Sequence, residues 1–239
     1  MANQYFEFKQ FRIEQEKAAM KVGTDGVLLG AWVDVDGANT ILDVGTGTGL
    51  IAIMLAQRTF GKAEIDAVEI DLEAYQQAVD NFNDCSWSSS IEATHISFQE
   101  FLKGNPKKYD MILSNPPYFR NGLNAKDLAR TKARNADHLP LVDLISGARS
   151  LLNPSGILAV ILPIEEGVLF EELAVAAGFY LNRKCDVLPN PGKLAKRMLL
   201  EFCLIKVAPV YSELVVENGQ RHIYSPEYIN LTKDFYLKF

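Results

Sequence analysis

Thr40-Ile41-Leu42-Asp43-Val44, then Gly45-Thr46-Gly47-Thr48-Gly49, then Leu50-Ile51-Ala52-Ile53-Met54-Leu55-Ala56-Gln57-Arg58 is a short apolar run, a glycine-rich bend and an apolar stretch of helical length. The first run reads as a strand buried on both faces, and the stretch behind the glycines as a helix. Strand, tight turn and helix in this order open a βα unit. Glycine takes positive φ and lets backbone approach a ligand, while the helix start offers exposed N–H groups. The turn is a nucleotide-sized cradle.

Outward from it, short apolar runs alternate with amphipathic stretches, the pattern of repeated βα units and a mostly parallel sheet. Glu64 to Ile70 reads as a second strand, feeding a helix in which Leu72, Tyr75, Val79 and Phe82 share a face. Ile91 to Ile96 and Tyr109 to Leu113 follow as strands, the latter stopped by Pro116 and Pro117, which cannot donate to a ladder. Pro140 suits a first helical position ahead of an amphipathic helix to Leu152, and Gly156 to Leu162 is a fifth strand. After a helix near 165–177, strands near 179–187 and 198–207 are joined closely enough to form an antiparallel hairpin. The expected α/β fold is Rossmann-like, a seven-stranded sheet with six strands parallel and one reversed, and helices on both faces. It fills residues 40–207 of a single domain, with an entry segment 1–39 and a tail 208–239 too small for cores of their own.

Hydrophobic residues at 48% and charged residues at 23% of 239 set the chain apart from disordered and fibrous classes. Cys85, Cys185 and Cys203 are scattered and odd in number, so neither a disulfide framework nor a zinc site is expected, and a reducing, cytoplasmic setting is. His95, His138 and His222 are isolated, and metal-free chemistry is expected. No leader-like segment opens the chain and the apolar run Ile157 to Leu162 is too short to span a bilayer, so no membrane role is expected. A net charge of -6 argues against nucleic acid held over the whole surface. The charge is segregated, however. In 119–138, Arg120, Lys126, Arg130, Lys132 and Arg134 face only Asp127 and Asp137; in 183–197, Arg183, Lys184, Lys193, Lys196 and Arg197 face only Asp186. Charge alone leaves solvated loops and nucleic-acid contacts equally open.

The candidate chemistry is denser. The dinucleotide fingerprint G-x-G-x-x-G requires glycine at position 50, where Leu50 stands, so a pyrophosphate-binding reductase is the weaker reading of the turn. A carboxylate at Asp43 would repel phosphate and suits a sulfonium cofactor, S-adenosylmethionine. Asp43, Gly45, Gly47 and Gly49 are its candidate contacts, joined by Glu69, 20 residues beyond Gly49 at the end of strand two, where an acid can accept from ribose hydroxyls. Asp71 reads as the cap of the next helix.

Asn115-Pro116-Pro117-Tyr118 supplies the candidate catalytic group, and Asn115 is a candidate cofactor contact as well. An amine conjugated to a planar system is a poor nucleophile because its lone pair is delocalised. An amide oxygen and a proline carbonyl can accept its two N–H bonds and favour a pyramidal nitrogen, and Tyr118 offers a flat face for stacking. No general base is needed before transfer, because the proton becomes acidic only as the new bond forms.

With these motifs the chain resembles bacterial methyltransferases that modify N6 of the adenine on the 3′ side of the anticodon in a valine tRNA. The resemblance runs over nearly the whole sequence: Phe8-Lys9-Gln10-Phe11, Lys21-Val22-Gly23-Thr24-Asp25-Gly26 to Trp32, the glycine turn, Asn115 to Tyr118, and Tyr224-Ser225 through Leu237. It implies a class I methyltransferase fold and an S-adenosylmethionine cofactor whose methionine end is covered by Lys21, Thr24 and Asp25. Ser97 stands where relatives often carry an Asp for the cofactor adenine amino group; as a candidate contact its hydroxyl can accept one hydrogen bond, more weakly than a carboxylate, with Gln99 as the alternative. It also implies a tRNA anticodon loop as partner, its phosphates held by 119–138 and 183–197. Guanine-N2 methylation of ribosomal RNA, glutamine-N5 methylation of a protein and a catalytically silent RNA-binding module are the rival readings.

Overall fold

The structure, a computed structural model, describes residues 3–104, 107–116 and 139–239. Pro117, Tyr118 and the basic segment 119–138 lie outside the described residues. Strand β3 (Thr40–Val44) and helix α2 (Leu50–Arg58) form at the residues expected of them. Successive side chains of a strand point to opposite faces, and the core divides accordingly. Ile41, Met111, Leu113, Ala159 and Ile161 enter one apolar cluster with the α2 side chains; Leu42, Ile112, Leu158, Val160 and Leu162 enter a second.

One sheet runs in the order β10-β8-β9-β7-β6-β3-β4-β5. Its other strands are β4 (Glu64–Glu69), β5 (Ile91–His95), β6 (Tyr109–Ser114), β7 (Leu152–Pro163), β8 (Tyr180–Leu188), β9 (Arg197–Cys203) and β10 (Val210–Val215). Only β9 is reversed, antiparallel to both β7 and β8. The first cluster is covered by α1 (Thr24–Trp32), α2 and α3 (Leu72–Asp84), and the second by α4 (Phe98–Gly104), α5 (Leu141–Leu151) and α6 (Ile164–Ala176). Strand order reverses at the β3–β6 pair, with β4 and β5 on one side and β7 on the other. In open α/β sheets ligands bind at such a switch point, at the carboxyl ends of the strands.

Among the described residues the sheet has eight strands, not seven. The extra one, β10, comes from the tail and pairs in parallel with β8 at the sheet edge. Its first four residues are exposed, so the strand carries no buried alternation to betray it. The strand expected to reach Val207 ends at Cys203. Pro140 has an extended ψ of 141° and caps α5 instead of opening it. The buried face of α3 is Ala74, Gln77, Ala78, Asn81 and Phe82, while Leu72 is 50% exposed. Two buried amides were not expected on that face, and both serve loop backbone, as described below.

The entry segment and tail close on each other. Hairpin β1 (Tyr5–Glu7) and β2 (Arg12–Glu14) leads to Phe8 and Phe11, stacked at 4.6 Å, and Phe8 stacks on Tyr236 at 5.9 Å. The Lys9 N–H donates to the Phe235 carbonyl, and its ammonium to the Lys233 and Phe239 carbonyls. Helix α7 (Pro226–Thr232) is capped by Ser225, whose hydroxyl accepts from the Tyr228 N–H at 3.0 Å.

Glycines of the bend divide by job. All of Gly45, Gly47 and Gly49 have positive φ, but a Cβ on Gly49 would meet Phe82 Cε1 at 2.4 Å, while one on Gly45 or Gly47 would meet nothing within 4 Å. Gly49→Ala is therefore expected to lose about 2–5 kcal/mol in urea unfolding and Gly45→Ala about 1–2 kcal/mol, the backbone cost alone. Equal losses at the two positions would contradict the packing role of Gly49.

Candidate active site

The glycine bend is pinned from below. Gly45 and Thr46 donate their N–H groups to the Val68 carbonyl at 2.9 and 3.1 Å. Glu69 accepts from the Gly47 N–H at 2.8 Å with Oε2, and from the Ile70 and Asp71 N–H groups at 2.9 and 3.0 Å with Oε1. One carboxylate thus ties the first βα turn to the second while keeping lone pairs for a ligand. Asn81, 1% exposed, donates to the Thr48 carbonyl at 2.8 Å and bonds Glu14 through both its amide atoms. Gln77 accepts from the Lys17 N–H and Gln15 from the Val22 N–H, so the segment around Ala18–Met20 is braced against α3 and against itself.

These elements enclose a cavity of about 490 Å³ at the switch point, a size suited to a small-molecule ligand. Gly45, Gly47, Glu69, Asn115 and Pro116 line it, with Ala18, Ala19 and Met20 on one wall. Ile70, Leu72 and Met20 also line it while being 40%, 50% and 57% exposed, an apolar rim that a planar ligand would cover. His95 stands at the end of β5 on the same wall. Its Nε2 lies 3.0 Å from the Ile70 carbonyl, an acceptor, so that nitrogen carries the hydrogen, and the ring stacks on Tyr75 at 5.4 Å. The sequence reading treated His95 as an ordinary strand residue; its place at a strand's carboxyl end was the available signal.

The remaining expected residues sit elsewhere. Asp43 is fully buried beneath the bend, where its Oδ2 accepts from the Thr46 hydroxyl at 2.7 Å. Burial pushes its carboxyl up to about 7, opposed by the Thr46 hydroxyl and the Ala52 N–H and assisted by the charge of Glu69. The acidic residues that line the cavity are Glu69 and Asp71, not Asp43. Gly49 packs on Phe82. Ser97 caps α4, its hydroxyl accepting from the Glu100 N–H and donating to the Glu100 carboxylate, and Gln99 donates to Asp143 at 2.9 Å. Both side chains are engaged in folding α4 and α5. Lys21 donates to the Gln15 carbonyl at 3.1 Å. Thr24 and Asp25 line a neighbouring cavity with Lys196 and Arg197, where Arg197 Nε meets the Asp25 carboxylate at 2.6 Å.

Asn115 is the decisive group. Strand β6 delivers it to the cavity, and the preceding Ser114 locks the strand end by donating to the Val44 carbonyl at 2.8 Å. Its Oδ1 is buried and has no hydrogen-bond partner among the described residues. Such an orphaned acceptor costs about 1–3 kcal/mol. A ligand N–H would satisfy it.

The basic segment 183–197 is largely neutralised from within. Arg183 pairs with Glu201 at 3.3 Å and lies 4.2 Å over the Trp32 ring, Lys184 pairs with Glu171 at 2.9 Å, and Arg197 with Asp25. Lys193 and Lys196 are exposed and have no ion pair among the described residues.

A doubly covered, mostly parallel sheet with one reversed strand and a glycine-lined cavity at its switch point defines a class I methyltransferase. Residues 19–168 match the methyltransferase small domain family. A curated tRNA1(Val) (adenine(37)-N6)-methyltransferase of Trichodesmium erythraeum (strain IMS101) is 48% identical, with 100% of both chains covered. One of the same name from Bacteroides fragilis (strain YCH46) is 45% identical, again over 100% of both. The crystal structure of a predicted O-methyltransferase from Agrobacterium tumefaciens shares the fold at a TM-score of 0.71 and 22% identity, covering 88% of this chain and 96% of its own. The chain belongs to the methyltransferase small domain family and, within it, to the family of these tRNA1(Val) (adenine(37)-N6)-methyltransferases.

Asp43 gives a prediction in pH. An acid raised from 3.8 in the unfolded chain to about 7 in the fold binds its proton more tightly when folded. Its contribution therefore favours the fold below pH 4 and is lost as pH rises through 7. Between pH 5 and 8, wild type should lose more unfolding free energy than Asp43→Asn; parallel profiles would place the Asp43 carboxyl at its ordinary value.

Proposed function

We propose that this enzyme transfers the methyl group of S-adenosylmethionine to N6 of adenine 37 in a valine tRNA. The buried, unpartnered Oδ1 of Asn115 at the mouth of β6 is the observation that carries the reading, because an exocyclic N–H is the donor it lacks. The full-length relatives carry that activity in their names.

The cavity fits the cofactor. Gly45 and Gly47 present backbone with open space where side chains would stand, Glu69 offers carboxylate lone pairs to ribose hydroxyls, and Ile70 and Leu72 give apolar cover. When bound, S-adenosylmethionine supplies an electrophilic methyl group. The chain's part is positioning. Asn115 Oδ1 and the Pro116 carbonyl accept the two N–H bonds of the amine, which draws its lone pair out of conjugation and aims it at the methyl carbon. Tyr118 is assigned the stacking face for the adenine, and Pro117 keeps the turn free of a competing donor. With the amine so held by Asn115 and Pro116, the bound cofactor would give up its methyl to the nitrogen, the bonding electrons staying with sulfur, and the amine would then release its proton to water. Glu69 ends β4 and Asn115 directly follows β6, so cofactor and amine are held from different strands of one sheet. An enzyme of this kind works where tRNA is found, in the cytoplasm.

The test is to incubate the enzyme with methyl-labelled S-adenosylmethionine and bulk tRNA from a strain lacking the modification, then map the labelled nucleoside. Label is expected in N6-methyladenosine next to the anticodon of valine tRNA. Label in guanosine or in protein overturns the assignment in favour of a rival acceptor. Asn115→Ala should lower kcat by roughly 10²–10³, the usual cost of removing one transition-state hydrogen-bonding group, while S-adenosylhomocysteine still binds.

A further inference from the structure

Resting on the tRNA reading above, the structure assigns a second element of RNA handling: Leu194, held between Lys193 and Lys196 on the β8–β9 loop, is a wedge that enters the base stack beside the target nucleotide.

The loop stands on the working edge of the sheet. Strand β8 leaves the sheet at Leu188 at its carboxyl end and β9 re-enters at Arg197, which lies opposite Pro163 at the carboxyl end of β7. Strand β7 in turn sets Val160 opposite Ser114, the neighbour of Asn115. Two strand spacings, roughly 10 Å, separate β6 from β9, and Arg197 lies three residues farther along β7 than the Ser114 register, so the loop overhangs the same carboxyl edge of the sheet from which Asn115 emerges.

Leu194 is 85% exposed, more than any other large apolar residue among those described. A single exposed leucine is ordinary on a mobile loop. This one is presented on a braced loop. The Lys193 N–H donates to the Asn190 carbonyl at 3.2 Å and the Lys196 N–H to the Val187 carbonyl at 2.9 Å. The tail grips the loop from the other side, through the Glu217 N–H on the Pro189 carbonyl at 3.0 Å and the Gly219 N–H on Asn190 Oδ1 at 2.8 Å. Pro189 and Pro191 stiffen it further. Backbone order is thus spent on holding an apolar side chain out in water.

Charge identifies the partner. Within 183–197, Arg183, Lys184 and Arg197 are paired inside the fold, and the exposed lysines of this segment are Lys193 and Lys196, on either side of Leu194. An apolar tip between two ammonium groups matches the inside of a base stack bordered by phosphates. An adenine must leave its stack to reach a buried Asn115, and the gap it leaves costs a few kcal/mol unless something fills it. Leu194 fills that gap, and the lysines hold the strand on either side.

The test uses the whole enzyme and a valine tRNA with 2-aminopurine replacing the target adenine, whose fluorescence rises on unstacking. Wild type should raise it. Leu194→Ala should lose most of the rise and about tenfold in turnover on unmodified tRNA, with S-adenosylhomocysteine binding unchanged, and Leu194→Met should restore both. Lys193→Gln with Lys196→Gln should instead weaken tRNA binding and lower the salt slope by about 1.4, two single-strand phosphate contacts. Leu194→Ala matching wild type in fluorescence and turnover overturns the wedge alone. A wild-type enzyme that leaves tRNA unmethylated overturns the function reading, and the wedge with it.

Discussion

The Gly45–Gly49 bend must leave its backbone bare on the ligand side, and much of the surrounding structure answers to that constraint. Bare backbone with positive φ has no side chains of its own to hold it. It is held by others: the Val68 carbonyl beneath, the Glu69 carboxylate beside Gly47, the Asn81 amide on Thr48 and the Phe82 ring against Gly49. Each contact comes from β4 or α3, the next βα unit along. A nucleotide cradle here is a property of two consecutive units, and the buried amides of α3 extend the same support to the entry segment that forms the cavity wall.

Across the switch point β6 brings the other half of the chemistry. One cavity is lined by a residue whose carboxylate has both oxygens engaged by backbone N–H groups and by one whose amide oxygen has no partner among the described residues. The first is already satisfied and adds further bonds to a ligand without moving. The second is destabilising until a donor arrives, so part of the binding energy of an amine is set aside in the fold before any substrate is present. The tail contributes at a distance, as an edge strand and as the brace of the β8–β9 loop.

The parallel core, the reversed strand and the glycine bend were legible because strands buried on both faces are continuous apolar runs, and Ile41, Leu42, Ile112 and Leu158 all obey that rule. Strand β10 was not, since an edge strand with Val210 and Tyr211 exposed carries no such run. The buried face of α3 was misread because Gln77 and Asn81 are polar; their burial follows from loop carbonyls and N–H groups that no helical periodicity encodes. In the site, Glu69 is read from its place at a strand end and Asn115 from the chemistry of the Asn-Pro-Pro-Tyr motif, and both line the cavity. Asp43 and Ser97 shared the strand-end signal, yet turned inward to support the bend and cap α4. Strand-end position marks who can face a ligand; hydrogen-bond demand from nearby backbone decides who does.

The central claim is that this cavity holds the cofactor with Asn115 Oδ1 left unspent for the acceptor amine. A crystal structure with S-adenosylhomocysteine tests it most directly. The account predicts ribose hydroxyls on the Glu69 carboxylate, the ligand against Gly45 and Gly47, and no ligand atom bonded to Asn115 Oδ1. Ligand lodged instead between Asp25 and Arg197, or ribose hydroxyls turned away from Glu69, would contradict it.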